Sequence, residues 1–535
     1  MSLCAAAAVV AGTIGTQIVN AGPRPVVSIQ IVTISDWHAQ LDPLSVSGVG
    51  SVGGAAVLSS YFEAERVENP NTLTFTAGDS FGGSPPLSGF FNEVPAVEAM
   101  NLMGFTADGL GNHNFDRGVD HLQSMVDLAD FDYLAANLRN LEDNLDGVLP
   151  WKIYTVGGIK VGVVGITNPE APSLVFPGNF GTMVPTNPIP AANKARAAMQ
   201  RAGAQVTVVL THMGVTGVDA TGAATGPLID FADAVGGFDV IVGDHTDVQY
   251  TGTHNGALVV ENRSKGLTYA DIDIEVDTKT GKVTAKSAAF VTPLASAVTP
   301  DPAVVALLVP YRALLSTVFD VKIGYAAGRF PRGGNVERSG EVAIGNLIAD
   351  SLRLTYGTDI ALTNAGGIRA PIPSSYVPVA VGLDRTDPAP YDVLVGDVYT
   401  VLPFGNTAVT RSVTGAQLWA ALENGVSQIN PVTCNGADGR FPQISGFSFS
   451  FSCTAAPGSR VVAVTLADST PVLNSAAVSL TMATNDFVNA GGDFYTEFRD
   501  GQGVTREVMA DVLLDYIEGL GTITPVIEGR ITKLP

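Results

Sequence analysis

Five short motifs in the first half of the chain gather the side chains able to hold a divalent cation: SDWH (Asp36, His38), AGDS (Asp79), GNHNFD (Asn112, His113, Asp116), THMG (His212) and GDHTD (His245, Asp247). Only six histidines occur in the whole chain, and four of them fall in these motifs; His121 and His254 are the others. Carboxylate, amide oxygen and imidazole together suit borderline or hard ions such as zinc, manganese or cobalt, whereas a structural zinc site favours cysteine. The three cysteines, Cys4, Cys434 and Cys453, form no CxxC pair and none has a histidine at zinc-finger spacing. Singly, an Asp-x-His pair after a strand is more often a capped turn than a ligand; five such motifs in order point to a catalytic metal site.

The elements that must position these residues are strands. VVSIQIVTI, TLTFTA, KVGVVGI, VTVVL and FDVIV are apolar runs of strand length, each ending beside a polar cluster with Asp, Asn or His. Side chains just past the carboxyl ends of such strands are where open α/β sheets place ligand sites. From Val26 to about Leu294 these runs alternate with helical stretches, the pattern of a layered α/β domain. The Pro/Gly/Asn-rich interval from Glu170 to Ala191 and the Gly/Thr/Ala-rich one from Gly214 to Gly226 read as surface loops with little chemistry. TPDPAVVALLVPYRALLSTVF reads as a helix joining two domains, with the boundary between Pro300 and Tyr325. The second half restarts with EVAIGNLIADSLRLTYG, whose Ile344, Leu347, Ile348 and Leu352 line one helical face before Gly357 stops it, followed by the strand DIALT. Thr414 and Gln417 form a capping-box pattern opening a further helix. There is no internal repeat.

At 535 residues the chain is too long for one core, since single cores stop growing at about 250–300 residues. A hydrophobic share of 46% against 15% charged excludes a disordered chain. The net charge of −22, with no clustered basic face, argues against a nucleic-acid polymer or an anionic membrane as partner, so a phosphate ligand must be held by local arginines or metal ions. Residues 1–25 are small and apolar, with no Lys or Arg before Arg24, and read as a leader remnant or a disordered arm too weakly hydrophobic for a membrane span. No other stretch qualifies as a span. The expected location is outside the cytoplasm: secreted, periplasmic or cell-surface. Cys434 and Cys453 flank a Gly-rich loop and the alternating FSFSFS, where a local disulfide and two buried thiols both fit.

The order Asp-x-His, Gly-Asp, Gly-Asn-His and two later histidines resembles the calcineurin-like metallophosphoesterases, and GNHNFD resembles the GNHEFD of their 5′-nucleotidase branch. NAGGIR (Asn364 to Arg369), PFGN (Pro403 to Asn406) and NDFVNAGGDFY (Asn485 to Tyr495) resemble the C-terminal domain of the 5′-nucleotidases, so the likeness covers nearly the entire chain from Val26. It implies an α/β fold, α+β overall: a four-layer αββα metallophosphoesterase domain at 26–299, a helical linker or hinge at 300–324 and a smaller mixed α/β substrate-binding domain at 325–535. Further, it implies two divalent ions, with Asp36 and His38 on one, Asp79 bridging both, Asn112, His212 and His245 completing the second, and Asp247 at the last ligand position of the first. Such a pair, about 3.5–4 Å apart, acidifies a water and clamps phosphoryl oxygens for in-line attack. His113, oriented by Asp116, would stabilise developing charge or protonate the leaving oxygen.

Two departures stand out: Asn114 where the branch has Glu, and GDHTD where it reads GGHTH or GGHSQ, a carboxylate at 247 favouring a harder ion. In the second half Arg338 and Arg369 match phosphate-binding arginines; a third has no match, with Gly334 at its place and Arg332 nearby. Phe404 and Phe487 match the rings that sandwich the base, Asp493 the carboxylate that takes the ribose hydroxyls, and Asn364 and Asn406 reach the base edge. Metals and rings then sit on different domains, which must rotate about the neighbourhood of Pro300 to Phe319. The implied activity is hydrolysis of nucleoside 5′-monophosphates. The alternatives are a 2′,3′-cyclic nucleotide phosphodiesterase with 3′-nucleotidase activity, a UDP-sugar hydrolase, and a nucleotide-binding surface protein without turnover.

Overall fold

A strand covered on both faces needs apolar side chains in both directions, and all six residues of Val206–Thr211 are buried. The computed structural model describes residues 26–534 apart from Ser47, Ala220 and Ala437; the arm expected at 1–25 lies outside the described residues. Val206–Thr211 is central to a six-stranded sheet ordered Tyr250–His254, Ala257–Glu261, Val240–Gly243, Val206–Thr211, Ile159–Ile166, Trp151–Val156. A second six-stranded sheet runs Lys282–Val291, Tyr269–Asp277, Val26–Thr33, Thr72–Thr76, Ala107–Gly109, Asp132–Leu134. Ile29, Ile31 and Phe75 of the one meet Val161, Val208 and Val242 of the other between the sheets. On the outer faces, Val209 and Ile241 pack under the helices Pro188–Arg201 and Pro227–Ala234, and Val32 lies in the cluster of Leu58, Phe62, Ala96 and Met100 from the helices Ala55–Glu68 and Val94–Met103. The result is four layers, αββα.

Parallel pairing decides where the motifs land. Val26–Thr33, Thr72–Thr76 and Ala107–Gly109 run parallel in one sheet, and Ile159–Ile166, Val206–Thr211 and Val240–Gly243 in the other. Their carboxyl ends therefore gather at one edge of the sandwich, and SDWH, AGDS, GNHNFD, THMG and GDHTD follow those ends.

The helix Pro302–Phe319 starts at Asp301, whose side chain accepts from the Ala303 amide and from Ser59 Oγ at 2.6 Å. Val304, Leu308, Leu315 and Phe319 are buried, Phe319 packing on Phe90 of the first half and on Tyr376 and Tyr399 of the second. By length and composition this helix is apolar enough to cross a membrane, contrary to the expectation that no such stretch exists; its packing against both halves accounts for the four buried residues, while Val305, Val309, Leu314 and Val318 are exposed.

The second half carries a five-stranded sheet ordered Pro442–Ser445, Ile360–Asn364, Ser479–Asn485, Thr407–Thr414, Val504–Val508, with two three-stranded sheets beside it. Ala343–Tyr356 is helical and Gly357 ends it at φ 60°, while Thr414 and Gln417 form the reciprocal capping box of Gly415–Gly425. Phe447, Phe449 and Phe451 point into the core and the intervening serines do not, the period of two expected of a strand. A disulfide joins Cys434 to Cys453, the first of the two possibilities.

Candidate functional site

Asp36, His38, Asp79, His245 and Asp247 all have positive φ, between 40° and 90°. Residues with a Cβ rarely adopt this conformation, and clusters of it mark places where the backbone bends to aim side chains. The turns are tight. A Cβ on Gly111 would lie 2.2 Å from Asp79 Oδ1, and one on Gly78 would lie 2.4 Å from the Gly111 amide, so AGDS and GNHNFD can approach only through glycine.

Ligand-capable atoms converge there. Those of His38, Asp79 and His113 lie within 4.8 Å of one another, as do those of Asp79, His212 and His245, and those of Asp36, His212 and Asp244. Asp79 belongs to two of these groups. Its Oδ2 is 2.9 Å from His212 Nε2 and its Oδ1 accepts from the His113 amide at 2.7 Å. Asn112 Oδ1 and Asp244 Oδ2 are buried without a hydrogen-bond partner. Oriented oxygen acceptors left bare beside imidazoles are the donor set a divalent cation completes, so the residues fit the implied ions. Burial first, then the Arg369 charge, lowers His38 well below the usual imidazole range; burial and His212 do the same for His245. Both rings are therefore neutral, the form that ligates metal. Burial raises Asp36 and Asp244, and the charge of Asp36 adds to the rise at Asp244.

The departures from the family pattern resolve differently. Asn114 Oδ1 accepts from the amides of Asp79 (3.1 Å) and Gly111 (2.8 Å), a task that needs an acceptor oxygen and no charge. Asp247 is not grouped with the other ligand atoms: its Oδ1 accepts from Arg263 Nε at 2.8 Å and from the Ser264 amide at 2.9 Å. The nearby carboxylate that does join Asp36 and His212 is Asp244.

His113 Nδ1 is 3.0 Å from both oxygens of Asp116, so the carboxylate holds that nitrogen and fixes the direction of the ring. Across the ring, Phe404 of the second half stacks at 5.5 Å and 13°. A cavity of about 300 Å³ opens here between the halves. From the first half Asn112, His113, Asp116 and His245 line it; from the second, Arg338, Asn364, Arg369, Phe404, Asn406, Phe487 and Asp493. Asp36, His38, Asp79 and His212 are buried and do not themselves line it, but His38 meets Arg369 of the lining and His212 meets His245, 3.1 Å away.

Arg369 Nη2 lies 2.8 Å from His38 Nε2, and its carbonyl accepts from Lys265 Nζ at 2.8 Å. Burial, then the charges of Arg332 and Arg338, lower Arg369 to about 9, the mark of cations crowded where an anion belongs. Glu337, fully buried, is 3.2 Å from Arg332 and 3.8 Å from Arg338. The amides of Asn364 and Asn406 line the cavity, yet each donates to a carboxylate, Asp493 and Asp486 respectively, both at 2.7 Å.

Sequence reasoning missed several contributors. The interval after Glu170, expected to carry little chemistry, lines the cavity with Glu170, Leu174, Val175 and Phe176, and Asn179 donates to the Asp116 carbonyl. Asp108 accepts from the Gly78 amide at 2.9 Å and from Ser80 Oγ at 2.6 Å, bracing the Asp79 turn; burial raises it to about 7. Lys265 and Glu337 carried no motif signal at all. For Asp108 the available sign was an acid at the end of an apolar run, three residues before GNHNFD.

A layered sandwich with this cluster at its strand ends, facing a second mixed domain across a cleft, is the architecture of a two-domain phosphoesterase. Comparison with known proteins agrees. The family model "5′-nucleotidase, C-terminal domain" matches residues 322–500. Endonuclease YhcR of Bacillus subtilis (strain 168) is 28% identical over 487 residues, 87% of this chain and 37% of that protein. Trifunctional nucleotide phosphoesterase protein YfkN of the same bacterium is 26% identical over 559 residues, 95% of this chain and 35% of that protein. The chain thus spans little more than a third of the length of these two relatives. The structure of a 5′-nucleotidase precursor from Thermus thermophilus matches with a TM-score of 0.82 at 29% identity, covering 95% of this chain and 99% of that one. Residues 322–500 thus belong to the 5′-nucleotidase C-terminal domain family, and the chain as a whole is similar to a 5′-nucleotidase precursor and to a nucleotide phosphoesterase.

Proposed function

We propose that this chain hydrolyses nucleoside 5′-monophosphates to nucleoside and phosphate. The observation that carries the reading is the cavity that brings Asn112 and His245 of the ligand cluster and the His113–Asp116 pair together with Arg369, two aromatic rings and a buried carboxylate. Asp36 and His38 would hold one divalent ion, Asp79 both, and Asn112, His212 and His245 the second. When bound, such ions acidify water and polarise the phosphoryl group. Arg338 and Arg369 bind the phosphate oxygens, and His113, its Nδ1 fixed by Asp116, stabilises the transferring group or protonates the leaving oxygen through Nε2. Phe404 and Phe487 flank the base and Asp493 takes the ribose hydroxyls. Asp247 steadies the turn after His245 through Arg263.

Phosphate release from AMP, 3′-AMP, cyclic 2′,3′-AMP, UDP-glucose and ATP, with manganese or zinc added, tests the reading. AMP is expected to be the best substrate; the name of YfkN, a trifunctional nucleotide phosphoesterase, is the reason for including the cyclic and 3′ substrates. AMP bound without release of phosphate would overturn it in favour of a binder. The disulfide and the likeness to a precursor protein support export, which assay of the culture medium checks.

Two predictions concern the grip on the nucleoside. Phe404→Ala should raise KM about tenfold with little change in kcat, since base stacking, worth about 1–3 kcal/mol, acts in ground and transition states alike. Steady-state kinetics on AMP checks it. Asp493 is raised to about 6 by burial and then by the charge of Asp438. Above that pH it is ionised and accepts the ribose hydroxyls; as pH falls through about 6 it takes up a proton and loses that acceptor. Inhibition by adenosine, which has no titrating phosphate, should therefore weaken on the acid side, and Asp493→Asn should flatten that limb.

A further inference from the structure

Asp244 occupies the position where the resembled motif has its second glycine, directly after the strand Val240–Gly243. Its side chain is fully buried. Oδ1 accepts from the His245 amide at 2.9 Å, an amide that also donates to Asp36 Oδ2 at 2.7 Å, so one N–H serves two carboxylates. Oδ2 has no hydrogen-bond partner, and no Lys or Arg forms an ion pair with Asp244 among the described residues. Ligand atoms of Asp36, His212 and Asp244 nevertheless lie within 4.8 Å of one another. A buried carboxylate oxygen with no donor, set against a second carboxylate and an imidazole, belongs to a donor set that a divalent cation completes.

We propose that Asp244 is a further metal-ligating residue, adding a carboxylate oxygen beside Asp36 and His212 and so weighting the site toward oxygen-preferring divalent ions such as Mn²⁺ over Zn²⁺. This rests on the metal-dependent reading of the same site. Nitrogen and sulfur ligands suit zinc, while each carboxylate added to the set raises its preference for harder cations. An acid at 244 is thus a selectivity device set next to the ligands inferred from the motifs.

The test uses chelator-stripped protein and the metals themselves. Mn²⁺ and Zn²⁺ affinities and stoichiometries are measured by titration calorimetry and elemental analysis for the wild type, Asp244→Asn and Asp244→Gly, with the electron paramagnetic resonance spectrum of bound Mn²⁺ as a probe of its ligands. Both variants should bind Mn²⁺ at least about tenfold more weakly, Zn²⁺ should weaken less, and the Mn²⁺ spectrum should change. Asparagine keeps the shape and glycine restores the resembled sequence, so loss of folding in one leaves the other to decide. Unchanged or tighter Mn²⁺ binding in the folded variants would overturn the proposal, and would mean that Asp244 and Asp36 share a proton instead. A wild type that binds neither ion would overturn the metal-dependent reading itself, whereas a wild type that binds both with variants that match it removes only the role of Asp244.

Discussion

Asp79→Ala is expected to lower kcat/KM for AMP on the order of 10³-fold or more and to strip the protein of bound divalent metal, because one side chain serves two ligand groups at once. Its Oδ2 lies against His212 and its Oδ1 accepts from the His113 amide, so the substitution removes both contacts and loosens the loop that carries the His113 imidazole. Burial alone would raise this carboxyl, yet the charges of His212 and His113 hold it well below the usual range, and it stays ionised at any working pH. Asp79→Asn separates the two roles: it keeps the shape and loses the charge. Phosphate release and elemental analysis on the same samples, with a thermal melt as a folding control, provide the check. Retention of both activity and metal by the alanine variant would end the assignment.

His113→Ala should lower kcat by about 10²–10³-fold with KM within a few fold of wild type, the signature of a group whose contact strengthens only in the transition state. The stack on Phe404 supplies the competing possibility, that His113 merely supports the base-binding ring. In that case KM would rise and kcat would hold. His113→Ala and Phe404→Ala should therefore split kinetically in opposite directions, and similar splits would show that the two rings act as one unit.

Much of this site was legible in the sequence because its parts are local. A ligand motif directly after an apolar run of strand length needs only the parallel pairing of neighbouring strands to reach a common edge, and the pairing of Val26–Thr33 with Thr72–Thr76, and of Val206–Thr211 with Val240–Gly243, provides it. The same holds for FSFSFS, for the capping box at Thr414 and for Gly357. What escaped depends on approach between distant segments. Lys265 reaches Arg369 across 104 residues, and Glu337 stands out in the sequence only once Arg332 and Arg338 are seen to crowd it. Asp244 was visible as a departure, but its neighbours Asp36 and His212 come from other strand ends. The stretch from Glu170 looked like a plain loop because Pro, Gly and Asn report backbone shape and say nothing about which cavity that backbone borders.

The left-handed turns at Asp36, His38, Asp79, His245 and Asp247 carry a cost for the protein as a thermal object. Each non-glycine residue in that conformation gives up on the order of 1 kcal/mol relative to glycine. Glycine at the first four of these places would relax the backbone and remove side chains proposed as ligands, so selection for heat resistance and selection for turnover pull on the same four codons in opposite directions.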